Sequence, residues 1–86
     1  MKAEITLNAP CDLYGRNAHI LQQATSSLQG SIYMQGVKSK RACRLSSLIG
    51  ILSMGIQSGE PIQITAYGPD SDQNLNQIVH VLSHMQ

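Results

Sequence analysis

The sequence predicts an α+β domain: an open-faced sandwich in which a four-stranded antiparallel sheet carries three helices on one face, in the order β-α-β-β-α-β-α. Three observations point there. Apolar residues recur with period two in four short segments and at helical spacing in three others. Turn-forming residues separate these segments. Two of the strand segments face each other across one short polar turn, which makes them a hairpin. The chain has 86 residues; a chain of that length buries only roughly 60% of its unfolded surface, enough for one core, so residues 1–86 are read as a single domain.

Lys2 to Leu7 alternate, with Ala3, Ile5 and Leu7 on one face, and Asn8-Ala9-Pro10 ends this first strand. From Arg16 to Leu28 the residues Ala18, Leu21, Thr25 and Leu28 share a helical face flanked by Ile20 and Ala24, until Gly30 interrupts the pattern. Ser31 to Val37 and Arg41 to Leu45 alternate again, setting Ile32 and Met34 against Cys43 and Leu45 across the turn Lys38-Ser39-Lys40. Ser47 opens a short helix to Met54, closed by Gly55. Pro61 to Tyr67 is the fourth strand, with Ile62, Ile64 and Ala66 inward. After the turn Gly68-Pro69-Asp70-Ser71, Leu75, Ile78, Val79 and Leu82 line one side of a last helix that needs a sheet to pack on. Right-handed crossovers place the helices together on one face.

Composition excludes several function classes. Hydrophobic residues make up 42% of the chain, with no Phe or Trp, so the core is aliphatic. A net charge of +1 argues against direct nucleic-acid binding, which requires several phosphates to be neutralised at once. No apolar run approaches the ~20 residues that span a bilayer, and the start MKAEITL lacks a secretory cleavage site, so the expected compartment is the cytoplasm, with no membrane insertion. Cys11 and Cys43 form no CxxC motif and are expected to be free thiols. His80 and His84, four apart on the last helix, could hold a metal between them, but two ligands alone make a weak site and a solvated helix face accounts for them better; no metal or cofactor is expected.

The segment SLIGILSMGI, residues 47–56, resembles the regulatory-serine helix of HPr, the small phosphocarrier of the bacterial sugar phosphotransferase system. Ala9-Pro10, Leu13, Arg16-x-Ala18 and Ala66-x-Gly68 extend the resemblance over nearly the whole chain, with a turn roughly two residues longer near Lys38 to Lys40 as the one gap, and the element order is that of HPr. The resemblance implies a phosphohistidine loop at residues 9–18, where an HPr histidine takes phosphate from enzyme I and passes it to sugar-specific enzyme II components. Here Tyr14 stands at that histidine's place. Its phenol, with a reference pKa of ~10, is essentially neutral at physiological pH, and a phosphate ester on it is a poor phosphoryl donor. Gly15 and Asn17 also depart from the family pattern, and Asp12 brings negative charge to where phosphate would sit. Arg16 keeps its place and is either an anion-binding remnant or a solvated arginine on the first helical turn.

HPr proteins generally carry lysines on the first helix that help dock enzyme I; here that helix reads His19, Ile20, Gln22, Gln23, Ser26 and Ser27, with no lysine, so steering toward enzyme I is weakened. Cations gather instead at Lys38, Lys40, Arg41 and Arg44, where protection of an edge strand accounts for them. In HPr of many Firmicutes the serine matching Ser47 is phosphorylated by a dedicated HPr kinase, so the resemblance implies regulatory phosphorylation at Ser47, with Ser46 a competing acceptor; helix capping alone would also account for Ser47. The family meets partners through an apolar patch on this helix, for which Leu48 and Leu52 are the expected exposed residues.

Taken together the residues imply a member of the HPr family that is not an enzyme and not a carrier. It is similar to the Crh paralogues, which lack the histidine, keep the serine and regulate carbon metabolism through protein contacts. The expected partners are proteins of the phosphotransferase or carbon-regulation type, HPr kinase among them. The alternatives are a phosphocarrier of a specialised pathway that uses a displaced acceptor such as His19, and a degenerate module kept for contact with an enzyme.

Overall fold

The computed structural model describes residues 1–85. Its elements are β1 (Lys2–Asn8), α1 (Arg16–Ser26), β2 (Ser31–Gly36), β3 (Ala42–Arg44), α2 (Leu48–Met54), β4 (Pro61–Tyr67) and α3 (Ser71–Ser83). The strands form one antiparallel sheet in the order β1-β4-β2-β3, so the two central strands are β4 and β2. Registers such as Ile5 opposite Ile64 and Met34 opposite both Ile64 and Cys43 put the apolar alternation of all four strands on one face. The helices cover that face: α3 packs on β1 and β4, α2 on β3, and α1 lies beside both α2 and α3.

Ile32, Met34, Ile62, Ile64 and Ala66 from the sheet meet Ala18 and Leu21 of α1, Ile51 of α2, and Leu75, Ile78 and Leu82 of α3 in one aliphatic core. The opposite face is open to solvent and carries Tyr33 and Tyr67 in an edge-on contact, with ring centroids 5.8 Å apart. Ile5 points inward by register yet remains 37% exposed, because β1 is an edge strand.

Two departures from the sequence reading have local causes. Helix α1 ends at Ser26 rather than Leu28. The hydroxyls of Ser26 and Ser27 donate to the carbonyls of Gln23 and Ala24, drawing the chain into a turn in place of another helical turn. Gly30 then takes φ 93°, and a Cβ there would stand 2.5 Å from the Tyr67 carbonyl oxygen, so only glycine fits between α1 and β2. The hairpin strands are also shorter than the alternation suggests. Gly36 N–H donates to Arg41 O and Lys40 N–H to Gly36 O, a five-residue loop whose left-handed position is Lys40 at φ 65°.

Candidate functional site

The loop before α1 is built by hydrogen bonds to the segment before β4. Ala9 N–H donates to Glu60 O, Gly59 N–H to Ala9 O, and Leu13 N–H to Ile56 O, while the Leu13 side chain is fully buried as the anchor. Asp12 completes the tie: its Oδ1 accepts from Ser58 N–H at 2.7 Å, and its own carbonyl accepts from Asn17 Nδ2 at 3.0 Å. Asn17 thus closes the loop onto the first turn of α1.

Tyr14 stands 45% exposed at the tip of this loop, its hydroxyl donating to Asp12 Oδ2 at 3.2 Å. That hydrogen bond, with the carboxylate charge behind it, holds the phenol above its ordinary value of 10.0. The hydroxyl is therefore protonated at neutral pH and aimed at an anion. Gly15 follows as the helix N-cap with φ 60° and ψ −130°, a conformation open to glycine and strained for other residues. Arg16 is the first residue of α1 and is exposed; among the described residues its guanidinium has no hydrogen bond or ion pair. His19 lies one turn further along α1, exposed, its amide donating to Gly15 O, and outside the cleft that Arg16, Asn17 and Ile20 line.

The second region is α2. Ser47 is its N-cap: Oγ accepts from Gly50 N–H at 3.1 Å, and Gly55 closes the helix in the left-handed conformation at φ 58°. Ser46 lies outside the helix, exposed, with its carbonyl accepting from Gln22 Nε2 of α1. The expected exposure of Leu48 is overturned. Leu48 is half-buried against the core with Ile51, three residues on, whereas Ile49 is 80% exposed and Leu52 42% exposed. The fully buried Ile51 fixes the phase of the helix: positions 48 and 51 face inward, 49 and 52 outward. The exposed apolar pair is Ile49 and Leu52.

The cations of the hairpin are partly committed to the fold. Arg41 donates to Ser53 O, and Arg44 donates to Ser31 Oγ at 2.8 Å while lying 5.7 Å from the Tyr33 ring centre. Cys43 and Cys11 are both free thiols. Burial raises Cys43 from 9.0 to about 11; Cys11 is raised by burial and by the neighbouring Asp12 charge. Among the described residues no group of three or more metal-ligating side chains comes together, and no helix is long and apolar enough to cross a membrane.

The sequence pattern described as "PTS HPr component phosphorylation site" matches residues 1–84. The chain belongs to the HPr family. Among solved structures it is similar to HPr-C-His from Thermoanaerobacter tengcongensis, at 22% identity with a TM-score of 0.86 over 94% of this chain and 91% of that one. A phosphocarrier HPr from Bacillus anthracis also gives a TM-score of 0.86, at 20% identity over 94% and 96% of the two chains. The histidine-containing phosphocarrier protein of a mycoplasma is 25% identical, with a TM-score of 0.78 over 94% of this chain and 90% of that one. HPr membership and the HPr fold therefore stand together with a loop before α1 whose exposed tip is Tyr14.

Proposed function

We propose that this chain is a non-catalytic HPr-family protein of the Crh type, acting in the cytoplasm through contacts with proteins of the phosphotransferase or carbon-regulation systems and switched by phosphorylation of Ser47. The observation that carries the reading is the Tyr14 hydroxyl donating to Asp12 at 3.2 Å. A carrier needs a nucleophilic nitrogen there, to form a phosphoramidate that transfers readily onward. A protonated phenol beside a carboxylate resists both attack on phosphorus and the approach of a dianion.

Support for the contact function comes from α2. Ser47 is exposed, and as N-cap it sits where backbone amides favour added negative charge, so a phosphate can replace the existing cap acceptor with little change in fold. Ile49 and Leu52 lie next to it as an apolar contact pair. An HPr kinase is the partner that this arrangement calls for, with Ser46 the competing acceptor; nucleic acid and membrane are not.

Incubation with phosphoenolpyruvate and enzyme I, followed by intact mass measurement at neutral pH, tests the reading. No acid-labile phosphate is expected. One such phosphate mapped to His19 would replace the reading with that of a specialised carrier.

A further inference from the structure

Between α1 and the end of α3 lies a cleft of about 500 Å³ lined by Arg16, Asn17, Ile20, His80, Val81, His84 and Met85. We propose that this cleft binds a small organic anion with a phosphate-type head group and an apolar body. The proposal is independent of Ser47 and of any protein partner. It also differs from phosphoryl transfer, because the anion is held and not passed on.

Three properties of the lining carry it. First, the polar side chains come from two helices and their ends and no acidic side chain is among them: Arg16 and Asn17 from α1, His80 from α3 and His84 from its C-cap. Arg41 and Arg44 are bonded to neighbouring groups, whereas the Arg16 fork has no bond within the described residues and is available to a bidentate oxyanion. Second, the two imidazoles lie tilted against each other, with ring centres 4.2 Å apart and ring planes at 43°, and the His84 tautomer is constrained. His84 Nδ1 lies 2.8 Å from the His80 carbonyl oxygen, which only accepts, so Nδ1 carries the hydrogen. The remaining nitrogen, Nε2, becomes a donor to an anion only when the ring takes up a second proton. Arg16 is the charged side chain lining the cleft. Third, Ile20, Val81 and Met85 supply an apolar wall beside this polar end, in a space of the size that small-molecule ligands occupy. A bare inorganic ion would leave that wall unused.

The test is a heteronuclear NMR titration of the whole chain with phenyl phosphate, inorganic phosphate and benzenesulfonate at constant ionic strength. Phenyl phosphate is expected to give saturable shifts at Arg16, Asn17 and the His80 and His84 rings, and to bind about tenfold more tightly than inorganic phosphate, as burial of an aromatic body predicts. Benzenesulfonate, a monoanion with the same apolar body, is expected to shift the same residues. R16Q should weaken binding about tenfold; the spectrum of the variant reports whether it remains folded. Unsaturated shifts, shifts centred on Lys38 to Arg44, or undiminished affinity in folded R16Q would overturn the proposal. Failure here leaves the phosphotransfer result untouched, so the two readings fall separately.

Discussion

The loop at residues 9–18 and the helix at 47–56 are the two regions on which the proposed function rests, and they are built differently. The loop keeps its scaffold. Leu13 is buried, Arg16 opens α1, and backbone bonds tie the loop to residues 56–60. Its polar side chains are turned inward: Asp12 and Asn17 close the loop, and Tyr14 donates to Asp12. Helix α2 keeps both scaffold and surface, with a capping serine, a closing glycine and an exposed apolar pair. On the proposed reading, α2 keeps a rigid helix face for recognition while the loop lacks the nitrogen that transfer needs.

The sharpest way to break the comparison lies within α2. Leu48→Asp sets a charge at a half-buried position packed against the core and should cost about 2–3 kcal/mol. Ile49→Asp should change stability by less than about 0.5 kcal/mol and remove partner binding. Denaturant unfolding of both variants decides it; equal costs would mean that the helix is rotated from the phase described here.

The loop provides the next largest effect. Asp12→Ala removes the acceptor of the Ser58 amide and should cost about 1–2 kcal/mol, while the Tyr14 phenol returns toward its ordinary value. Spectrophotometric titration of Tyr14, with Tyr33 and Tyr67 replaced by Phe, would show the fall; an unmoved titration would mean that Asp12 does not govern the phenol. Gly15→Ala in the same loop should cost about 1–3 kcal/mol through strain at positive φ. Tyr14→His alone therefore places an imidazole on a loop still shaped by Asp12 and Gly15, and should gain little or no phosphotransfer.

Ser47→Ala should cost about 1 kcal/mol, the usual loss of an N-cap, and less than the Asp12 change. If the alanine variant is as stable as the parent, Ser47 does not cap the helix in solution. The smallest effect concerns pH. Cys43 is raised in the folded state, so its contribution to stability is complete below the ordinary value of 9.0 and is lost as pH rises to about 11. Cys43→Ala, at some cost in packing, should flatten that alkaline decline in a series of thermal melts.

Much of this comparison is legible in the sequence, for physical reasons that differ between the regions. Pro61 to Tyr67 alternates between half-buried and buried positions, so its bounds and its inward residues follow from period two. Ser47 and Gly55 are legible because caps act within a few residues of themselves. The phase of α2 is not: in SLIGILSM nearly every position is apolar, and a seven-residue helix has too few turns to define a stripe, so Leu48 and Ile49 exchange roles until Ile51 is seen buried. The end of α1 was hidden by Leu28, which extends the apolar stripe although two serines have already turned the chain. Asp12 reads as a charge in a phosphate site, yet its partner Ser58 is remote in sequence. The cleft of Arg16, His80 and His84 joins the start of α1 to the end of α3, which no local pattern reveals.

The measurement that tests the central claim most directly exposes one sample to both phosphoryl sources, enzyme I with phosphoenolpyruvate and HPr kinase with ATP, and maps each phosphate before and after acid treatment. The account predicts a single acid-stable phosphate on Ser47 and no acid-labile phosphate anywhere on the chain. An acid-labile phosphate on any histidine, with Ser47 unmodified, would contradict it.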